Sequence, residues 1–481
     1  MKNYRTTKPV GVKGHYFSEA YMKNTQFDTA AKLPVKPSLN NDERVRVFQR
    51  KLYLKAKQEP GFKAHSLYDK ICDYGVLSVA YDRVRKGKYA SSAGVDDLTF
   101  EKIERYGKEE FLLLLQGELL SKGYRAQAVR RVFIPKANSK ELRPLGIPTL
   151  GDRVVQMAVK MVIEPMFEAD FISESYGFRP KKNAQQAIRA IRDNIHAGYK
   201  FVLDADLKKY FDTIPHAKLM TVIQKRINDR SVLHLIAQWL RAPVRHPDGR
   251  MEKSRLGSPQ GGVISPLLAN IYLDVIDQLI RAEDGVYHKS DIRIVRYADD
   301  FVLMGKKHYH HSILQRLRHT LGRMGLTLNE EKTKLLHTNK RSLHFLGFEF
   351  RWIRSKFQWR KGWYTDIRPS MKSRSKLFST IRELLRTRGH WTIERIIYKL
   401  NEVLRGWMNY FVIAGVSYVA ATARVLVQHL GYKLYKWLKG KGRQSHRMLR
   451  QHPYDILVKH KGLLDIVNYV RMHSQLVKAK G

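Results

Sequence analysis

The spacing of apolar residues divides the chain into helical and extended stretches. Apolar side chains recur every three or four residues over about 66–130, in RVVQMAVKMVIEPMFEADF at 153–171, over 216–241 and over 370–435. This spacing places them on one face of an α-helix, so each of these stretches is predicted to be helical. A further helix is predicted near 310–325.

Shorter apolar runs bounded by turn residues predict β-strands between the helices. The segment 129–149 has two such runs around a polar loop rich in Asn, Ser and Lys, which predicts a hairpin. Residues 199–205 predict one strand, 292–305 a second hairpin, and 343–360 further short strands. After the glycine-rich turn LGSPQGG, Ser265 is predicted to cap the helix SPLLANIYLDVIDQLI.

The first 60 residues show no clear period. They are polar and basic with scattered prolines, so we expect an extension that is partly disordered or folds on a partner. The N-terminus lacks the apolar segment of a secretion signal, and the leucine-rich run at 111–120 is too short to span a bilayer. The sequence therefore predicts a cytoplasmic protein with no membrane partner.

Charge adds the strongest global signal. Lys and Arg number 89 against 44 Asp and Glu, a formal net charge of +45. From residue 351 onward there are 28 basic against 6 acidic residues. A polyanionic partner, above all nucleic acid, fits this excess, although surface charge also serves solubility. The one cysteine, Cys72, excludes an internal disulfide and is expected to be a small buried hydrophobe.

Two acidic motifs stand out against this basic background. In IRIVRYADDFVLMG, the adjacent carboxylates Asp299 and Asp300 interrupt an apolar hairpin. In FVLDADLKKYFDTIPH, a strand runs into Asp204 and Asp206, and Asp212 follows. Adjacent carboxylates repel each other and lose hydration when enclosed, and a multivalent cation relieves both effects.

One carboxylate at the end of a strand and two at the tip of a neighbouring hairpin could hold two metal ions. Two such ions, about 3.5–4 Å apart, activate a hydroxyl group and stabilise a leaving pyrophosphate. Mg²⁺ needs few protein carboxylates, so solvated or helix-capping roles are expected for Asp204 and Asp212. The alternative for Asp299 and Asp300 is a solvent-exposed turn, in which Asp is common.

Taken together, eight motifs resemble those of bacterial group II intron-encoded reverse transcriptases, which also act as maturases. They occur in the family's order, cover roughly residues 66–435, and are highly specific as a set. The matching segments are RRVFIPKANSKELRPLGIPTLGDRVVQ, SYGFRP, DLKKYFDTIPH, GSPQGGVISPLLANIYLD, RYADDF, GLTLNEEKT, HFLGFEF and LRGWMNYF.

The resemblance implies an α+β fold of the right-hand polymerase type. It predicts a basic extension at 1–65, fingers and palm with an antiparallel sheet at 66–350, a helical thumb or maturase domain at 351–435, and a basic DNA-contacting region at 436–481. Many relatives end in an HNH endonuclease domain with cysteine pairs. With one cysteine in the whole chain, no such domain is expected.

The resemblance also assigns catalytic residues. Asp206, Asp299 and Asp300 match the family's metal ligands, the same three that the acidic motifs indicate. They imply two Mg²⁺ ions, with Mn²⁺ as a substitute. Phe211 matches the steric gate, an aromatic ring that leaves no room for the 2′-hydroxyl that distinguishes RNA precursors. The alternative for Phe211 is an ordinary core aromatic.

Four further residues match positions that contact the incoming nucleotide. Lys136 and Arg143 match the triphosphate contacts, where basic groups neutralise the leaving pyrophosphate. Gln260 lies in the loop that positions template and nucleotide, and Lys332 matches a residue that protonates pyrophosphate. The alternatives are solvent-facing charges for Lys136 and Arg143, a plain turn at Gln260, and an exposed helix start at Lys332.

The segment 370–435 resembles the thumb that holds the duplex and the intron RNA. Its interleaved cations and aromatics suit phosphate contact and stacking. FLGF at 345–348 resembles the hairpin that grips the primer, while Trp407 and Phe411 are expected to pack in the core. The residues expected to contact RNA or DNA are Arg405, Lys433, Lys436, Lys439, Lys441 and Arg443.

The resemblance implies an RNA-directed DNA polymerase that copies intron RNA at a primed target site and binds that RNA to assist splicing. Its expected partners are group II intron RNA, an RNA template with a DNA primer, target DNA and dNTPs. The alternatives are a stand-alone host or defence reverse transcriptase and a non-enzymatic RNA-binding splicing factor. The intact set of three aspartates argues against the second, and a basic structural protein would not explain those carboxylates.

Overall fold

The computed structural model describes most of the chain as helices joined by short sheets. The residues described are 40–87, 91–135, 142–283, 285–308, 311–355, 362–439 and 453–475. In chain order the elements are α1 (Asn41–Gln58), α2 (Tyr68–Ile71), α3 (Tyr74–Arg85), α4 (Phe100–Tyr106), α5 (Lys108–Leu120), β1 (Val129–Pro135), β2 (Leu142–Ile147), α6 (Leu150–Asp170), α7 (Ala184–His196), β3 (Phe201–Ala205), α8 (Tyr210–Thr213), α9 (His216–Ile223), α10 (Arg230–Arg241), β4 (Val244–Arg245), β5 (Met251–Glu252), α11 (Ser265–Arg281), α12 (Val286–Lys289), β6 (Arg293–Tyr297), β7 (Asp300–Gly305), α13 (His311–Met324), β8 (Lys334–His337), β9 (Leu343–Phe345), β10 (Phe348–Arg354), β11 (Trp363–Pro369), α14 (Met371–Thr387), α15 (Ile393–Phe411), α16 (Ala420–Lys439), α17 (Pro453–Lys461) and α18 (Ile466–Gln475). This mixture of helices and mainly antiparallel strands confirms the predicted α+β class.

The chain folds into two compact units. Of the described residues, those within 1–171, 209–275 and 323–326 form the first unit, and the others form the second. Each domain predicted from the sequence is one continuous segment, whereas each compact unit combines several segments. The predicted domain boundaries therefore stay a prediction.

The predicted N-terminal extension is helical in its described part. A capping box formed by Asn40 and Glu43 starts α1. This helix packs on α6, where the Gln49 side chain donates a hydrogen bond to the carbonyl of Met161 at 2.8 Å. The expectation of disorder or folding on a partner is therefore wrong for α1, because this chain itself covers the helix. Residues 1–39 lie outside the described part.

The first unit is built around α6 and one small sheet. Apolar residues lie on nearly every side of α6, and most of its side chains are buried. Strands β1 and β2 pair antiparallel from Arg130 opposite Ile147 to Pro135 opposite Leu142, which confirms the hairpin predicted at 129–149. The two-residue strands β4 and β5 extend this sheet and were too short to predict.

The second unit contains a sheet in the order β6-β7-β3-β8, antiparallel throughout. The predicted strand at 199–205 and hairpin at 292–305 are confirmed as β3 and as β6–β7. Helix α7 covers one face, burying Ile188, Ile191 and Ile195 against the sheet. Strand β8 was not predicted, because its four residues follow a polar segment.

A separate sheet and a helical cluster complete the second unit. Strands β9, β10 and β11 form a three-stranded antiparallel sheet. Helices α14 to α18 share a hydrophobic core of their own, with Leu377, Ile381 and Leu385 of α14 buried at helical spacing. The predicted helical stretch at 370–435 is thus confirmed. Within the described residues, every helix is too short or too polar to cross a membrane.

Candidate active site

The hairpin of β6 and β7 ends in a two-residue turn that carries the paired carboxylates. Tyr297 pairs with Asp300, leaving Ala298 and Asp299 as the turn residues. We call Tyr297–Asp300 the carboxylate turn. Ala298 adopts a φ of 59°, a left-handed conformation that costs a non-glycine residue about 1–2 kcal/mol, so other contacts must stabilise it.

The register of the sheet brings the two acidic motifs together. Strand β3 pairs with β7 so that Ala205 lies opposite Phe301. Asp206 and Asp300 are the next residues along this antiparallel register, and Asp206 lies close enough to Asp300 to raise its pKa. Directly opposed residues have Cβ atoms about 5 Å apart, so the carboxylates of the two motifs are neighbours. The sequence could place each motif at a strand end but could not determine that these strands pair.

The crowding of carboxylates changes their affinity for protons. Burial, together with repulsion from Asp299, Asp206 and Asp204, raises the pKa of Asp300 to about 7. Burial raises the pKa of Asp204 to about 6, where Lys334 favours the charged form and Asp206 opposes it. Asp300 is nevertheless reached by solvent, so the crowded carboxylate faces an open side. Near neutral pH, a proton or a cation is needed to offset this repulsion.

The donor set fits a hard divalent cation, although the side chains are not already arranged around one. Across the described ranges, no group of three or more acidic, histidine or cysteine side chains forms a ready metal cage. Carboxylate oxygens are the ligands that Mg²⁺ prefers. The fit therefore rests on the chemistry of Asp206, Asp299 and Asp300 and on the strand register. Asp204 lies two residues before Asp206 and therefore on the same face of the strand. It adds a fourth carboxylate near Asp300.

The Lys332 side chain forms an ion pair with Asp206. Its ammonium is 3.3 Å from Oδ2 of Asp206. The backbone holds the two segments together, since Asn329 N donates to the Asp206 carbonyl at 2.8 Å. Lys332 lies in a turn closed by Thr333 N donating to the Asn329 carbonyl and followed by β8. This segment forms a turn and not the start of a helix, so that part of the alternative is wrong, whereas the Lys332 side chain is exposed as the alternative expected.

The carboxylate turn is held by a buried ion pair between Arg296 and Asp277, which the sequence analysis missed. Nε of Arg296 lies 2.9 Å from both carboxylate oxygens of Asp277, in α11. Nη1 of the same guanidinium donates to the Ala298 carbonyl at 3.0 Å. The arginine thus ties the left-handed turn residue to a helix. The signal was present in the sequence, because RIVRY and LDVIDQL each place a charge of opposite sign within an apolar run.

The SYGFRP motif (175–180), to which the sequence assigned no role, and Glu174 before it contact the other side of the turn. Arg296 N donates to the Glu174 carbonyl at 3.0 Å, and Tyr176 N donates to the Arg296 carbonyl at 2.8 Å. Gly177 then approaches the turn so closely that an added Cβ would lie 2.2 Å from Ala298 N. Only glycine allows the two backbones to come this close.

Of the residues predicted to contact the nucleotide, Arg143, Phe211 and Gln260 lie in the first unit, whereas Lys332 lies in the second. Arg143 is exposed on β2, opposite Ile134, and Lys136 lies outside the described residues. The base of the hairpin is joined to the loop that contains Gln260, whose carbonyl accepts from Gly146 N at 2.7 Å. Gln260 itself is half-buried.

Phe211 belongs to the short helix α8 and is half-buried rather than a core aromatic. Its carbonyl accepts a hydrogen bond from Ser258 N at 2.7 Å, so the glycine-rich loop packs on the backbone of α8. A Cβ on Gly257 would lie 2.6 Å from that carbonyl, and the glycine has a φ of 85°. Tyr210, beside Phe211, is buried and donates to the Ala269 carbonyl at 2.7 Å.

Four of the six residues predicted to bind nucleic acid lie on helices of the second unit. Phe411 is buried and Trp407 is half-buried, with ring centroids 4.6 Å apart, which confirms their expected core packing. Exposed positions on α15 and α16 are occupied by Arg405, Lys436 and Lys439, and Lys433 is half-buried. Lys441 and Arg443 lie outside the described residues.

Two protein families match the chain. The family described as "Reverse transcriptase (RNA-dependent DNA polymerase)" matches residues 134–350. The family described as "Group II intron, maturase-specific domain" matches residues 374–454. The first match contains the carboxylate turn and Lys332, and the second contains α15 and α16.

Two curated proteins with similar sequences differ in how much of their length the chain covers. The chain is 36% identical to Protein YkfC of Escherichia coli (strain K12) over 343 residues, 64% of this chain and 89% of that protein. It is 30% identical to Group II intron-encoded protein LtrA of Lactococcus lactis subsp. cremoris over 348 residues, 60% of this chain and 57% of LtrA. The chain therefore covers less than two-thirds of LtrA.

Among solved structures, a chain of a "Partial Cas6-RT-Cas1--Cas2 complex" aligns with a TM-score of 0.33 and 23% identity. The alignment covers 56% of this chain and 44% of that chain. A likeness of this size supports no conclusion about function.

Proposed function

The chain belongs to the family of reverse transcriptases with a group II intron maturase-specific domain, and we propose that it is the RNA-directed DNA polymerase of such an intron. It copies intron RNA into DNA from a primer at the target site and binds that RNA to assist splicing. The observation that carries the polymerase proposal is the strand register that pairs Ala205 with Phe301 and so brings the adjacent Asp206 and Asp300 together. The match at 374–454 supports the second role.

In this proposal Asp206, Asp299 and Asp300 hold two Mg²⁺ ions, or Mn²⁺ in their place. Bound divalent cations supply the charge that activates a primer 3′-hydroxyl and neutralises a leaving pyrophosphate. The chain's part is to keep three carboxylates in fixed positions despite their repulsion. Lys332 donates the proton that pyrophosphate takes up, a role supported by its short distance to Asp206.

The nucleotide contacts proposed for the first unit rest on motif positions together with local packing. Phe211 excludes a 2′-hydroxyl, and the Gly257 contact that fixes its backbone supports a rigid gate. Arg143 and Lys136 bind the triphosphate, and Gln260 positions the nucleotide. The hydrogen bond from Gly146 to Gln260 supports a common base for the hairpin and the loop.

The nucleic acid contacts proposed for the second unit rest on charge. Arg405, Lys436 and Lys439 present cations on the surface of α15 and α16. Lys433 and Lys436 also lie 5.6 and 4.7 Å from the centre of the exposed Tyr432 ring. Cations beside an exposed ring suit phosphate contact combined with stacking.

The test is primer extension on an RNA template with dNTPs and Mg²⁺. Asp299→Ala is expected to lower the rate by about a thousandfold or more, because it removes a ligand for charge that develops in the reaction. Asp193→Ala removes an exposed carboxylate from α7 of the same unit and should leave the rate unchanged. Equal extension by wild type and Asp299→Ala would refute the metal assignment.

A splicing assay separates the two proposed roles. Asp299→Ala should still stimulate splicing of the intron RNA, because that role requires RNA binding rather than the carboxylates. Wild type that binds RNA tightly but extends no primer would favour the non-enzymatic splicing factor. Efficient extension without any effect on splicing would instead favour a stand-alone reverse transcriptase.

A further inference from the structure

One face of the β10–β11 hairpin continues beyond the helix that covers it. Phe350 and Ile367 pair across these strands, and both are fully buried under α7. Trp352, two residues beyond Phe350, lies on the same face. Trp363 also lies on this face, because it precedes Thr365, the partner of Trp352, by two residues. Helix α7 ends at His196, and in the described part of the chain Trp363 on this outer part of the face is 53% exposed.

The two tryptophans stack and lie among cations. Their ring centroids are 6.4 Å apart and the ring planes differ by 7°. The Lys200 ammonium lies 4.6 Å from the centre of the Trp352 ring. Arg354, exposed, pairs with Trp363 across the strands. We call Trp352, Trp363, Lys200 and Arg354 the tryptophan platform.

The platform is rigidly supported, although Trp363 itself is 53% exposed. Thr338 N donates to the Lys200 carbonyl at 3.0 Å, and Trp352 N donates to the Thr338 carbonyl at 3.1 Å. The His196 ring also packs edge-on against Trp352, with centroids 5.4 Å apart. The strand ends under the platform are therefore tied together, and a ligand would meet a preorganised surface.

We propose that the tryptophan platform binds an unpaired RNA strand by stacking a base on Trp363 while Lys200 and Arg354 neutralise phosphates. A rigid aromatic face bordered by cations is the combination that single-stranded nucleic acid recognises. A duplex cannot use it, because its bases are already stacked on each other. The choice of RNA rests on the proposed function, in which the unpaired template is RNA.

Charge complementarity separates this partner from an apolar protein. The chain carries a net charge of +45, and the side chains named around the two rings are Lys200, Arg354 and His196, none of them acidic. An apolar docking face for a protein or a second copy would gain from aliphatic neighbours instead. Phosphates, in contrast, gain from both cations.

The test measures binding of a labelled 12-nucleotide RNA to the full-length chain without Mg²⁺ or dNTPs. Trp363→Ala is expected to weaken binding about tenfold, the size of one lost base stack. Trp363→Phe keeps a flat ring and should retain most of the affinity, whereas Trp363→Leu should resemble Ala. Leu120→Ala, at a 64% exposed site on α5, is the control and should bind as wild type does.

Two further measurements locate the contact. Lys200→Gln should lower the salt dependence of binding by about one phosphate contact, a log–log slope change of about 0.7. An RNA overhang carrying 4-thiouridine on a primer–template duplex should crosslink to the peptides that contain Trp352 or Trp363. A blunt RNA duplex should bind all the Trp363 variants equally.

Several outcomes would overturn the proposal. The first is wild-type affinity in Trp363→Ala. The second is full affinity in Trp363→Leu, which indicates a plain apolar contact or binding of a second copy of the chain. The third is a set of crosslinks that avoids both tryptophans. These measurements need no DNA synthesis. A chain that extends no primer yet shows the stacking pattern would keep this proposal and lose the polymerase, and the reverse result would do the opposite.

Discussion

Two cation–carboxylate pairs lie near the carboxylate turn, and they differ in nearly every physical respect. Arg296 and Asp277 expose 1% and 0% of their side chains, and the guanidinium is held by several hydrogen bonds. Lys332 and Asp206 expose 69% and 32% of theirs and share one contact of 3.3 Å. The first pair is enclosed by protein, and the second is open to water.

The difference shows how the backbone of one turn can be fixed while the cation beside its carboxylates can be exchanged. Removing one partner of a buried pair leaves a charge without compensation, so the pair holds its position once formed. An exposed pair contributes little to stability, so a metal ion or a substrate phosphate can displace it at small cost. We infer that Arg296 fixes the backbone that presents the carboxylates, while Lys332 holds a position that incoming charge can take.

Among changes at these two pairs, Asp277→Ala is expected to have the largest effect on stability. This change leaves the buried Arg296 guanidinium without its carboxylate partner. It should lower the free energy of unfolding by about 3–5 kcal/mol. Urea denaturation of the full chain measures it, with the exposed Asp193→Ala as control, expected within about 0.5 kcal/mol of wild type.

A double variant then separates stability from positioning. Arg296→Met with Asp277→Leu replaces the pair by apolar side chains and should recover much of the lost stability. Primer extension should stay low, because the Ala298 carbonyl has lost its donor. A loss below about 1 kcal/mol in Asp277→Ala would contradict the fixed character of this pair.

The next largest effect is expected from Gly177→Ala, which pushes on the turn from its other side. The new Cβ would lie 2.2 Å from Ala298 N and must displace backbone. We expect a loss of about 1–3 kcal/mol in the free energy of unfolding, with kcat falling more than KM changes. Gly322→Ala, at a helical site with nothing within 4 Å, should be neutral or stabilising.

A smaller effect is expected from pH at Asp300. Its pKa of about 7 lies above the ordinary value of 3.8, so the folded chain holds a proton that the unfolded chain releases. The stabilising contribution is complete below about pH 4 and is lost as pH rises through 7. Since the carboxylate meets solvent, we expect a change below about 1 kcal/mol.

The measurement is thermal unfolding in chelator at pH 5 and pH 7.5 for wild type and Asp300→Asn. Wild type should lose stability relative to the variant as pH rises, because the variant has no proton to release at this position. Added Mg²⁺ should restore part of the wild-type loss at pH 7.5. An identical pH response of the two chains would contradict the crowding of carboxylates.

The smallest effect on stability is expected from Lys332→Met, the open pair. The free energy of unfolding should stay within about 0.5 kcal/mol of wild type, since an exposed pair contributes little. Removing the ammonium should lower the Mg²⁺ concentration needed for half-maximal extension and should also lower kcat. Lys340→Met, an exposed lysine beyond β8, is the matched control. An unchanged Mg²⁺ requirement would show that Lys332 does not compete with cations.

Local patterns in the sequence predicted the elements well where they were long or strongly patterned. The hairpins at 129–149 and 292–305 and the helices over 370–435 were expected from period and turn residues alone. Strands β4, β5 and β8 were missed because two to four residues carry too little pattern. Helix α1 was missed because only three of its eighteen residues, Val45, Leu52 and Ala56, are buried, so the apolar face is sparse.

The candidate site shows the same division. Chemistry is written in residue types, so the acidic motifs and the family resemblance named Asp206, Asp299 and Asp300 without coordinates. Their roles stay predictions, as do those of the residues in the first unit. Arg296 and Gly177 were missed because their importance comes from partners far away in sequence, Asp277 and Ala298, which a linear pattern does not connect.

By itself, the sequence determined which chemistry this chain carries: a basic protein of the reverse transcriptase family with three aspartates at the ends of apolar strands. Only the tertiary structure decided the pairing of β3 with β7, the buried charge beneath the turn, and the open aromatic face beyond α7. The reason is physical. Residue type and local period act over a few neighbours, whereas strand register, burial and proton affinity depend on segments that meet only when the chain folds.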